Sequence, residues 1–255
     1  MIPYFDFTSF SIGPVTLQVW GFFVSLGFIA AIFLTRHILK RKKLKHELVW
    51  DFALAALVGA IVGARLFHVI FYEWPYFKDN LLQIFYLWQP GYSFFGGFAG
   101  AALAFFLVYK IKKIDFWPYV DAVMFSLPLG LFIGRLGCAF IHDHPGVKTN
   151  FFLGVKYADH ARWDLGLMQS LVNLVLFIVF VILARRARRP GFYAGIFFVY
   201  YALTRFALDF LRIWDGPMAE TRYFSLTPAQ YFSILLLAAG IIILVKVRKK
   251  FHASV

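Results

Sequence analysis

Residues 117–141 read WPYVDAVMFSLPLGLFIGRLGCAFI, with Asp121 and Arg135 as the only formal charges. As a helix rising 1.5 Å per residue, this stretch is about 37 Å long, enough to cross a hydrocarbon layer of ~30 Å. Comparable stretches occur at about 17–36, 48–72, 93–112, 165–184, 190–211 and 227–247. Their recurrence predicts an all-α, polytopic membrane protein of about seven transmembrane helices. Composition agrees: the 255 residues are 61% hydrophobic and 15% charged, whereas soluble domains carry about a quarter charged residues. No linker or low-complexity segment interrupts the pattern, so residues 1–255 are expected to form a single membrane domain. No basic residue precedes the first apolar run, which sets the start apart from a cleaved signal peptide.

The net charge of +13 invites a nucleic-acid reading until its distribution is drawn. Seventeen of the 26 basic residues fall in four loops or tails on one side of the predicted spans: Arg36 to Lys45, Lys110 to Lys113, Arg185 to Arg189 and Lys246 to Lys250. The opposite side holds six, and Arg65, Arg135 and Arg205 lie within spans. By the positive-inside rule the richer side is cytoplasmic, which places the N-terminus outside and the C-terminus inside. Topology and anionic membrane lipids account for the basic excess, and no nucleic-acid partner is expected.

Two outer segments are long enough for structure of their own. Residues 73–92 are dense in aromatics and predict a helix lying in the interface. Residues 142–164 are more polar. The run Gly96-Gly97-Phe98-Ala99-Gly100-Ala101-Ala102 lacks bulk and should let a neighbouring helix approach closely. Cys138 is the single cysteine, so no internal disulfide or CxxC pair exists. His142 and His144 alone do not supply three or four zinc ligands, and neither metal nor cofactor is expected.

A charge inside a bilayer costs at least ~2.5 kcal/mol, so three arginines in spans call for an explanation. Arg65, Arg135 and Arg205 each lie about seven residues before the outer end of an outward-running helix, roughly 10 Å below the surface. Asp209 and Arg212 follow Arg205 on one helical face, His68 follows Arg65, and Cys138 follows Arg135 by a turn. Beyond Cys138 the chain runs out into His142-Asp143-His144-Pro145-Gly146. One reading is that the arginines pair internally and specify packing. The other is a buried anion site open to the outer leaflet, because arginine stays charged and grips phosphate with two donors. The anion at that depth is a phospholipid headgroup or its phosphate leaving group.

These blocks resemble a known family, the phosphatidylglycerol–prolipoprotein diacylglyceryl transferases of bacterial inner membranes. Ile12-Gly13-Pro14 through Trp20-Gly21 resembles its N-terminal segment, and Gly63-Ala64-Arg65-Leu66 its second-helix motif. Ser93-Phe94-Phe95-Gly96-Gly97 aligns with its Ser-Phe-His-Gly-Gly, and Gly134-Arg135-Leu136-Gly137 opens its signature. Arg205-Phe206 through Asp209-Phe210 and Arg212 resembles its Arg-Phe-x-x-Glu-Phe-x-Arg.

The resemblance implies transfer of a diacylglyceryl group from phosphatidylglycerol to the lipobox cysteine thiol of prolipoproteins, with release of glycerol 1-phosphate. It implies that Arg135, with Arg65, binds the phospholipid, and that Arg205 assists transfer. Asp209, Arg212, Gly96, Gly97 and Gly137 would support them. The partners implied are phosphatidylglycerol and the prolipoprotein signal peptide. Phe95 stands where the family has histidine, Cys138 where it has asparagine, Asp143 where it has glutamate and Trp20 where it has tyrosine. Phenylalanine cannot take a proton, so activation of the thiol falls to His142 or His144 with Asp143, or to His68. The alternatives are a paralogue with another acceptor and a phospholipid-binding or transport protein without chemistry.

Overall fold

The computed structural model describes every residue except Asp6, Leu87, Trp88, Pro90, 158–159, 215–221 and 253–255, and omits the side chains of Phe94, Phe95 and 249–252. Among the described residues seven helices of 18 residues or more account for most of the chain: α1 (Val19–Arg41), α2 (Leu48–Phe71), α4 (Phe94–Lys112), α5 (Phe116–Ile141), α6 (Leu165–Leu183), α7 (Phe192–Asp209) and α8 (Pro228–His252), with a four-residue α3 (Trp74–Phe77) between α2 and α4. Five of the seven, α1, α2, α5, α6 and α8, are long and apolar enough to cross a membrane. The chain is a polytopic membrane protein. α7 has the length but is less apolar, because Arg205 and Asp209 lie in its last turns.

Burial differs from that of a soluble domain on the outside rather than in the core, which is still largely apolar (Val19, Leu39, Leu176, Phe180). Large apolar side chains such as Phe33, Leu54, Val62, Leu103, Ile182 and Leu235 face outward, while Asp121, Gln169, Ser170, Asn173, Asp209, Thr227 and Gln230 are buried. A hydrocarbon solvent selects this, since exposed alkyl groups lose nothing there and every polar group must find a partner inside.

The chain forms two compact units, Arg36–Phe116 and Met1–Thr35 with Trp117–Val255. In the first, α2 and α4 cross at their glycines. A Cβ on Gly96 would sit 2.3 Å from the Gly63 carbonyl oxygen, so this contact requires glycine, whereas at Gly97 the nearest atoms are 3.4 Å away. The expected close approach is present. The interfacial segment differs from expectation: in place of one helix it has α3 and a 3-10 turn at Leu81–Phe85, and its Trp88 lies outside the described residues. Arg65 fastens that segment. It is buried and donates to the carbonyls of Gln83 (2.8 Å), Ile84 (3.1 Å) and Gly91 (3.2 Å), with Phe77 and Tyr92 against its guanidinium.

The second unit contains strands that an all-α reading misses. β2 (Ser9–Ile12) and β3 (Val15–Gln18) form a hairpin whose two-residue turn has Gly13 at φ +60°. The 142–164 segment folds as β4 (Pro145–Lys148), β5 (Val155–Lys156) and β6 (Ala161–Asp164). The order is β1-β5-β6-β4, with β1 (Ile2–Pro3) paired parallel to β5. This small sheet follows the C-terminal end of α5 and delivers Asp164 to the start of α6.

Candidate active site at the C-terminal end of α5

Four elements of the second unit converge here. α5 supplies Arg135 and Cys138; the turn after it supplies His142, Asp143 and His144; α7 supplies Arg205 and Asp209. Arg212 is contributed by the chain just beyond α7, which ends at Asp209, three residues short of the expected shared helical face. The pairing survives because Arg212 is tied down by an isolated bridge to Gly146.

Asp209, fully buried, is the hub of the α7 side. Its Oδ1 accepts from Arg212 Nε (2.8 Å) and Arg205 Nη2 (3.2 Å), and its Oδ2 accepts from the Thr227 hydroxyl. Its carbonyl accepts from Arg222 Nη2, and Arg205 Nη1 reaches Gln169 Oε1 on α6 (3.3 Å). Thr227 and Gln169 were invisible as partners in the sequence, because no periodicity links residues 18 and 36 positions away.

Arg135 is different. Among the described residues its hydrogen-bonding partner is Cys138 Sγ, at a long 3.8 Å. Gly137 lies between them in sequence, with Trp20 and Phe23 of α1 packed where its side chain would be. Arg135 and Arg205 are close enough to repel, and both, with Arg212, act on His144. Three guanidiniums thus share this mouth with Asp209 and Asp143.

The two histidines part ways. His142 is buried at a left-handed φ of +51°, among the rings of Tyr4, Phe5 and Tyr157. Its Nδ1–H donates to Asp164 Oδ2 (2.7 Å), whose Oδ1 caps α6 at Leu167 N (2.8 Å). Its Nε2 is buried without a hydrogen bond, and the ring borders an apolar cavity of about 130 Å³ lined by Ile2, Phe5, Leu136, Phe140 and Val155. Burial pushes the Asp164 carboxyl above its usual range, against the pull of that His142 bond. The sequence reading missed Asp164, although an Asp immediately before an apolar run is an N-cap signal.

His144 is a third exposed, with Nε2 3.6 Å from Asp143 Oδ2. Burial is the main cause that lowers His144; Asp143 opposes it and Arg212, Arg135 and Arg205 add to it. Burial likewise raises Asp143, opposed by His144 and Arg135. The third histidine, His68, belongs to the Arg36–Phe116 unit and pairs with Glu73 at 3.5 Å. Phe95 lies in α4 with its ring outside the described side chains.

The metal question changes with the fold. Counting histidines gave two ligands, but the ligand atoms of Cys138, Asp143 and His144 all lie within 4.8 Å of one another.

Residues 8–246 match the sequence model of the family described as prolipoprotein diacylglyceryl transferase. The phosphatidylglycerol–prolipoprotein diacylglyceryl transferase of Streptococcus mutans is 33% identical, covering 95% of each chain. That of Nitrosomonas europaea is 31% identical over 95% of this chain and 90% of its own, and that of Chromohalobacter salexigens 28% over 97% and 94%.

Proposed function

The chain belongs to the prolipoprotein diacylglyceryl transferase family, and we propose that it carries out that transfer at the mouth formed by Arg135, Arg205, Arg212, Asp143 and His144. The donor is phosphatidylglycerol and the acceptor the lipobox thiol of a prolipoprotein signal peptide, in the bacterial inner membrane. The observation that carries this reading is the excess of guanidinium over carboxylate at one mouth, with Arg135 engaged only by a thiol among the described residues.

Arg135 grips the lipid phosphate with its two-donor edge. The lipobox sulfur forms a bond to the diacylglyceryl carbon as that carbon's bond to phosphate oxygen breaks. The bond's electron pair stays on the oxygen, so glycerol 1-phosphate leaves with one more negative charge than the diester had. Arg135 and Arg205 face that growing charge and stabilise the transition state more than the ground state. Asp209 and Arg212 hold Arg205 in position. Asp143 and His144, accessible beside the arginines, receive the thiol, and its proton leaves to solvent there as the sulfur attacks. His142 is a positioning residue: through Asp164 it locks the turn that carries them. Arg65 fastens the 81–91 segment in its own unit.

The test is reconstitution of the full chain with phosphatidylglycerol and a lipobox peptide, followed by mass measurement. The peptide gains one diacylglyceryl group, and glycerol phosphate appears in equal amount. A peptide of unchanged mass under conditions where a relative modifies it would overturn the assignment.

A further inference from the structure

We propose that Cys138, Asp143 and His144 form a binding site for a thiophilic divalent cation of the zinc class, and that the acceptor thiol loses its proton by coordinating that ion. The second half rests on the transferase reading; the site itself does not.

The geometry comes first. The thiol, one carboxylate oxygen and one imidazole nitrogen lie within 4.8 Å of one another, with Asp143 and His144 already at 3.6 Å. Ligand atoms around a tetrahedral zinc are separated by about 3.3–3.8 Å, given bonds of 2.0–2.3 Å. Rotamer adjustments of Asp143 and His144, both a third exposed, close the remaining gap. The backbone holds the three in place: Cys138 sits in α5 and the other two lie in the turn anchored by His142 and Asp164.

The donor set selects the ion. A thiolate with an imidazole disfavours magnesium and calcium, which take oxygen ligands, and suits zinc. Thiolate and carboxylate together balance a double positive charge. The nearby arginines do not defeat this: Arg205 and Arg212 are paired to Asp209, and Arg135 donates to the sulfur itself. Such a donor on a metal-bound thiolate is an ordinary outer-shell contact that orients and tunes it.

Three protein ligands leave a fourth position, the pattern of a reactive zinc site. A thiol entering that position is deprotonated on coordination, its proton passing to solvent. The bound thiolate then attacks as described, beside Arg135 and its phosphate. This supplies what Phe95 cannot.

Cys138 is the chain's single cysteine, which makes cobalt an unambiguous probe. Full-length protein in detergent, stripped with chelator and titrated with cobalt(II) chloride, should bind one ion per chain. A near-ultraviolet thiolate-to-cobalt band and intense visible bands of four-coordination should appear together, and zinc should displace both. Cys138→Ser, a near-isosteric change, should abolish the near-ultraviolet band at unchanged melting temperature, and His144→Gln should weaken binding at least tenfold. Cobalt binding without a thiolate band, or unaltered by His144→Gln, overturns the site. In the transfer assay the stripped protein should be at least tenfold slower and recover with zinc. Full activity of stripped protein overturns thiol activation by the ion. A complete cobalt signature with no transfer in either state leaves the ion site standing and removes the transferase reading instead.

Discussion

Arg135 and Arg205 are the same residue type at neighbouring positions, yet their contacts separate their roles. Arg205 is held by a buried carboxylate and an amide, whereas Arg135 meets a soft thiol acceptor. Arg135→Lys keeps the charge but loses the planar two-donor edge. Its transfer rate should fall by roughly 10²-fold, the scale of losing one transition-state donor, with the melting temperature unchanged. Wild-type turnover would show that the phosphate lies elsewhere. Asp209→Ala should fail differently. It strands two guanidiniums and the Thr227 hydroxyl, a loss on the order of 3–5 kcal/mol, and should appear first as lowered thermal stability in detergent. The arginines were legible in the sequence because a charge in a span announces itself. Their partners were not: Asp164, Thr227 and Gln169 are ordinary residues until folding sets them against His142, Asp209 and Arg205.

Asp121 shows how one residue fixes an element. It sits in the first turns of α5, buried, and its two carboxylate oxygens accept from Gly191 N and Ala194 N, both at 2.9 Å, at the start of α7. A carboxylate there satisfies amide groups that a helix leaves open at its N-terminus and meets the positive end of the helix dipole. Asp121→Ala removes both bonds without adding bulk, so α7 should enter the bundle with unsatisfied buried N–H groups. A loss of about 2–4 kcal/mol is expected, measured by thermal unfolding in detergent, with transfer reduced because α7 carries Arg205. The sequence showed Asp121 as a charge within a predicted span without naming its partner, 70 residues away. Helix positions followed from hydropathy to within a few residues. The outer sheet did not, since two-residue strands such as β1 and β5 show no alternation, and their pairing joins Ile2 to Val155.

At the scale of the molecule, the basic residues and the site should lie on opposite faces of the membrane. The ends of α1, α4 and α8, and the connection between α6 and α7, carry Lys40 and Arg41, Lys110 and Lys112, Lys246 and Arg248, and Arg185 to Arg189. The other ends of α1, α6 and α7 lead to the hairpin, the sheet and the Arg135 mouth. Retaining so many cations on the cytoplasmic side fixes the direction of every span, because each resists translocation. On the proposed function the arginine mouth should then face the outer leaflet, where a signal peptide would emerge and a phosphate headgroup would be at hand. A reporter active only in the periplasm, fused after Lys250, should therefore remain silent, while the same reporter inserted after Thr149 should be active. The opposite result would invert the molecule and put the mouth on the wrong side of the bilayer for a translocated thiol. Neutralising Arg185, Arg186, Arg188 and Arg189 together should produce a mixture of the two signals, since four of the charges that set the orientation would be gone.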